Sequence, residues 1–181
     1  MGAGLSVSAA RVLFLLGAGS AAALGVTWLR DAKPTEGEIR YHHLWVDGEG
    51  VTHVKRNCLF SDLERKGYAG TPQYVLDFVG KLRTKALVVT QQTGENPWHY
   101  CPSPQFVGTL AGRWYVKTGD GETLVMKPGD VLYQDNVKTH PMAEEGTRKA
   151  QHYSGARGGP CNQMVVQVDR APEVNNPGCW S

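Results

Sequence analysis

The sequence predicts a mainly β domain, a small antiparallel barrel or sandwich, preceded by one apolar N-terminal helix. Three observations predict it. Gln105 to Thr118 is an alternating run, followed by the turn dipeptide Asp120-Gly121 and by Glu122 to Met126, the pattern of a β-hairpin. Pro128-Gly129-Asp130 is a tight turn feeding the short apolar run Val131 to Tyr133. Far upstream, Val12 to Leu29 is an uncharged run of 18 residues between Arg11 and Arg30.

As a helix that run is about 27 Å long, enough to cross a bilayer core. Trp28 stands where an interfacial aromatic anchor belongs. The small residues from Gly17 to Ala21, with Gly25, allow another helix to approach closely. Residues 1–30 contain no acidic residue, which also fits a signal or transit peptide. Met1-Gly2-Ala3-Gly4-Leu5-Ser6 matches an N-myristoylation signal, a third possibility. A buried helix of a soluble domain would need polar punctuation sooner. We read residues 1–30 as a retained membrane-spanning helix packed among other membrane helices. Such a short, acid-free anchor resembles those of single-span accessory subunits of mitochondrial inner-membrane complexes. Charge does not set its orientation, because Arg11 lies on one side and Arg30 with Lys33 on the other.

Residues 31–38 are a polar linker containing Pro34, and residues 39–169 form the β domain. Ile39 to Val46 and Val51 to Arg56 flank Asp47-Gly48-Glu49-Gly50, a hairpin. His42, His43 and His53 lie on it and read as surface or packing residues, since no carboxylate accompanies them in register. Phe60 to Gly80 reads as an irregular connection with one helical turn. Ala86 to Thr90 is a β-branched strand. Pro141 to Gly159 is polar and glycine-rich; its His152 either enters the interior pocket or faces solvent. Gln163 to Val168 alternates and closes the sheet. Residues 170–181 read as an extended arm whose Trp180 is suited to a partner contact.

Composition sets several classes aside. With 41% hydrophobic residues, the chain supports one domain with a proper core plus an appendage. Net charge is +2 with both signs interspersed, so there is no nucleic-acid footprint. No phosphate loop, dinucleotide fingerprint or nucleophile elbow occurs. Cys58, Cys101, Cys161 and Cys179 show no Cys-x-x-Cys spacing and allow up to two disulfides or none.

Gly94, His99-x-Cys101, Gln105 and Gly112, then Pro128-Gly129-Asp130 with His140 eleven residues after Gly129, resemble the two motifs of the cupin superfamily. The resemblance covers roughly residues 84–169, including Pro160-Cys161-Asn162-Gln163 before the last strand. It is closest to small uncharacterised cupins, and it implies a cupin-type antiparallel β-barrel, or jelly roll. Cupin enzymes hold iron, manganese, nickel or zinc with three histidines and a glutamate. Here Cys101 and Gln105 replace one histidine and the glutamate. In extended chain His99, Cys101 and Gln105 share a strand face, so His99, Cys101, Gln105 and His140 can converge as a metal pocket. It is a weak one. The Gln105 amide neutralises no metal charge, and Pro102 and Pro104 can turn Cys101 away.

Two functional expectations follow. The first is a non-catalytic, membrane-anchored accessory subunit of a mitochondrial respiratory-chain complex, with no cofactor. It would touch other subunits through Val12 to Leu29 and the barrel surface. The second is a membrane-tethered cupin enzyme, a dioxygenase or isomerase using Fe or Zn. A third, a barrel that binds a small molecule without chemistry, uses the same lumen.

Overall fold

The computed structural model describes residues 33–179, and Val12 to Leu29, with the anchor expected there, lies outside them. Among the described residues there are twelve strands and no helix long and apolar enough to cross a membrane. The mainly β expectation holds.

The strands are β1 (Arg40–Val46), β2 (Thr52–Leu59), β3 (Glu64–Tyr68), β4 (Thr71–Val75), β5 (Arg83–Gln92) and β6 (Glu95–His99), followed by β7 (Gln105–Ala111), β8 (Trp114–Lys117), β9 (Thr123–Met126), β10 (Val131–Gln134), β11 (His152–Ala156) and β12 (Cys161–Asp169). They make a six-stranded sheet, β2-β1-β10-β7-β12-β5, a four-stranded sheet, β6-β11-β8-β9, and a separate hairpin, β3-β4. Hydrogen bonding does not close a barrel: β2 and β5 edge the larger sheet, β6 and β9 the smaller. Nor is the pairing wholly antiparallel, since β1 runs parallel to β10.

Strand alternation explains how two sheets make one core. Leu44, Val107, Leu132 and Val165 of the larger sheet pack with Trp114, Val116, Leu124 and Met126 of the smaller one. Leu132 is fully buried, worth about 2 kcal/mol relative to exposure. The intervening residues Tyr41, Phe106, Tyr133, Val166 and Val168 point the other way, into a second cluster with Phe60 and Leu82. The middle of the six-stranded sheet thus packs on both faces, whereas its edge strand β5 leaves Leu87, Val88 and Val89 exposed.

The Gln105 to Thr118 run splits between sheets. Gln105–Ala111 pairs with β10 and β12, whereas Trp114–Lys117 pairs with β9 and β11. Gly112 makes the transfer, with φ +77° and the Pro160 carbonyl oxygen only 2.3 Å from where a Cβ would sit. The Asp120-Gly121 hairpin forms as expected, joining β8 to β9. So does the hairpin around Asp47, whose Oδ1 accepts the N–H groups of Glu49 and Val51 at 2.8 Å each.

Phe60 to Gly80 differs from expectation. It carries the β3-β4 hairpin, turned at Ala69-Gly70 with both φ positive, in place of a helical turn. The C-terminal arm is stitched back onto the domain: Asn175 N–H donates to Val46 O at 2.7 Å, and Cys179 is disulfide-bonded to Cys58. Cys101 and Cys161 are free and buried.

Candidate functional site

Between the sheets, at the seam where β5 turns into β6, lies an open cavity of about 610 Å³. Its walls carry His99 from β6, His152 from β11, and Gln105, Gln134 and Gln167 from β7, β10 and β12. The glutamines form a row. Gln105 is the register partner of Gln134 on one side and of Gln167 on the other. Such partners share a sheet face. Apolar wall is supplied by Val107, Val165 and Trp114, whose indole N–H is satisfied by Thr109 Oγ1 at 2.8 Å.

The His99 and His152 rings lie with centroids 4.2 Å apart. Burial holds both imidazoles below the ordinary histidine range, His152 well below it, and the neighbouring ring lowers His152 further. Both are neutral at pH 7, and their neighbours fix opposite tautomers. His99 Nδ1–H donates to the Pro97 carbonyl at 2.8 Å, leaving Nε2 with a lone pair. Asn136 Nδ2 donates to Ala150 O at 3.0 Å and also to His152 Nδ1 at 2.8 Å. His152 therefore carries its hydrogen on Nε2.

At the rim, Glu95 accepts hydroxyl hydrogen bonds from Tyr153 and from Tyr115, the latter at 3.0 Å. Those two hydroxyls lower its carboxyl below the usual range. Gln92 Nε2 donates to Ser154 Oγ at 3.3 Å, tying β5 to β11 across the seam.

Of the four residues expected to converge, two do. His99 and Gln105 line the cavity, although not on one strand, because β6 ends at His99 and β7 begins at Gln105. Cys101 between them forms an isolated bridge with Val137 and is buried with Sγ 4.0 Å from Gln134 O. Burial, and the nearby Asp135 charge, push its thiol far up. His140 is taken by the C-terminal arm: Nε2–H donates to Glu173 O at 3.2 Å and Nδ1 accepts the Met142 N–H at 3.0 Å. Among the described residues no group of three His, Cys, Asp or Glu side chains is arranged to hold a metal. The residues present do not fit a cupin metal centre.

His152 takes the interior option, with 2% exposure. Gln134 and Gln167 escape sequence reasoning, because a strand glutamine reads as surface. The one available signal for Gln134 is its position directly after the apolar run Val131 to Tyr133.

No family model and none of the curated proteins matches the chain. Among solved structures it is similar in part to protein NMB1881 of Neisseria meningitidis, at 12% identity and a TM-score of 0.36, over 49% of this chain and 84% of that one. It is also similar to a conserved protein of unknown function, SPY1581, from Streptococcus pyogenes. There the identity is 18% and the TM-score 0.31, over 63% of this chain and 97% of that one.

Proposed function

We propose that the chain is a non-catalytic accessory subunit with a cupin-like jelly-roll domain, held by residues 1–30 in the mitochondrial inner membrane as part of a respiratory-chain complex. The anchor rests on the 18-residue uncharged run with its small-residue face and Trp28. Its partners are other subunits, reached through Val12 to Leu29 and the domain surface, and the lipid bilayer.

One observation carries the non-catalytic reading: the polarity of the His152 hydrogen bond. A metal-binding histidine donates its outer N–H to an acceptor, which leaves the inner nitrogen with its lone pair. His152 does the reverse. Its Nδ1 accepts from Asn136, so Nε2 bears hydrogen and offers no lone pair. With His140 held by Glu173 O and Met142 N–H, the cavity keeps one ligand-ready imidazole, His99, beside neutral carboxamides.

That same His99 favours the second reading, a membrane-tethered Fe- or Zn-dependent enzyme, since its Nδ1–H does donate outward to Pro97 O. Metal analysis of the purified chain, together with native electrophoresis of detergent-solubilised membranes, separates the two. The expected result is less than a tenth of an equivalent of metal, roughly, and migration in a large assembly. About one equivalent, lost on His99→Ala, overturns the proposal in favour of the enzyme.

A further inference from the structure

We infer that the cavity binds a small uncharged polyhydroxylated molecule, of the size of a mono- or disaccharide. This inference is independent of the membrane reading, because it uses only the walls of the domain.

Size comes first: about 610 Å³ lies within the range of small-molecule sites. Charge comes next. No lysine or arginine lines the cavity, so an anion would enter among acceptors without a counter-charge. Its one carboxylate, Glu95, stands at the rim and already accepts two tyrosine hydroxyls, which leaves little for a cation.

The decisive feature is a pair of oxygens. Gln105 Oε1 and Gln134 Oε1 are buried and accept no hydrogen bond, on side chains only 6% and 4% exposed. Buried polar atoms in this state are rare, because each forfeits its hydration. Both belong to residues of one cross-strand row that lines the cavity, and an end-for-end rotation of either carboxamide turns its oxygen toward a ligand held there. What they require is O–H or N–H donors. The His99 Nε2 lone pair asks for a third donor, whereas the His152 Nε2–H asks for an acceptor. A hydroxyl serves either role, and several hydroxyls on one small frame serve all four positions. Trp114, Val107 and Val165 then meet the C–H face of such a frame.

The test uses the whole 181-residue chain, kept in solution with a detergent that has no sugar headgroup. Glucose, maltose and glucose 6-phosphate are titrated by ligand-observed NMR. A neutral sugar is expected to bind, with glucose 6-phosphate weaker. Gln105→Leu and Gln134→Leu should each lower affinity about tenfold, the effect of one lost hydrogen bond. Val88→Trp guards against misfolding as the explanation. Val88 lines the cavity from an edge strand and is 40% exposed, so a bulky replacement can be accommodated, and it should block binding with the far-UV dichroism unchanged. No saturable binding of either neutral sugar, equal affinity in all three variants, or tighter binding of glucose 6-phosphate would overturn the inference. None of these outcomes bears on metal content or on native assembly size, so the accessory-subunit proposal stands or falls separately.

Discussion

The His99 and His152 rings, with centroids 4.2 Å apart, have opposite hydrogen-bonding character, a lone pair on one Nε2 and a hydrogen on the other. Burial opposes a second proton on either ring. Because folding lowers both pKa values below the ordinary 6.5, the unfolded chain binds protons first as pH falls. Their contribution is therefore complete above pH 6.5 and is lost on acidification below it. The expected observation is an unfolding midpoint that drops as pH falls below 6.5, with a shallower slope in His152→Gln. A wild-type slope that survives unchanged in the variant would refute this assignment.

His53 has the opposite sign. Its Nε2 lies 2.9 Å from Asp47 Oδ2 and its Nδ1 2.8 Å from Asp120 Oδ2, with Trp45 stacked on the ring at 4.6 Å. Burial pulls its pKa down, but the two carboxylates outweigh burial and the net shift is upward from 6.5. The charged clamp is thus fully present below pH 6.5 and is lost as pH rises through the folded pKa. It joins the β1-β2 turn to the β8-β9 turn. His53→Gln should cost about 1 kcal/mol at pH 6 and close to nothing at pH 9, as befits half-exposed ion pairs. Denaturant titrations at the two pH values check this, and an equal loss at both would show packing against Trp45, not charge, to be the cause.

Legibility in the sequence followed burial and turn chemistry. The hairpins at Asp47 and Asp120-Gly121 were readable because turn residues punctuate half-buried alternating strands. The β3-β4 hairpin was not, because Glu64 to Tyr68 is exposed throughout and has no apolar face to mark a period. Pro97 masks β6, and the polar, glycine-rich surroundings of His152 mask β11. The β1-β10 parallel pairing and the break at Gly112 are long-range outcomes that no local pattern encodes. At the site, His99 and Gln105 were visible as chemically able residues near a turn-rich segment. The departure of Cys101 was foreshadowed by Pro102 and Pro104, but that of His140 was not, because it depends on a contact with Glu173, far along the chain.

The Cys58–Cys179 disulfide joins residues 121 apart and pins the C-terminal arm beside β1, where His43 Nδ1–H donates to Gly178 O at 2.8 Å. Glu173 N–H, on the same arm, donates to the buried Asp135 Oδ2 at 3.0 Å. Closing so long a loop removes much unfolded-state entropy. Reduction, or Cys58→Ser, should cost about 3 kcal/mol. Urea unfolding with and without reductant measures this, and hydrogen exchange at Asn175 N–H should quicken. Cys179→Ser should match Cys58→Ser, and the double variant should add nothing. An unchanged midpoint on reduction would mean that the arm is held by its hydrogen bonds alone.

Gly112 and Gly121 separate backbone conformation from steric clash. Both have positive φ, +77° and +88°, yet a Cβ on Gly121 meets nothing within 4 Å, whereas one on Gly112 meets Pro160 O at 2.3 Å and Cys161 Cα at 3.0 Å. Gly121→Ala should cost only the left-handed penalty, about 1 kcal/mol. Gly112→Ala adds a collision with main chain that cannot rotate aside, in the one place where β7 leaves the larger sheet for β8. We expect at least about 3 kcal/mol there, with β7 and β12 forced apart next to the cavity. Equilibrium unfolding of both variants decides it. Equal losses would mean that the Gly112 corner relaxes freely, and that the passage between sheets is set by the Pro160 turn and not by this glycine.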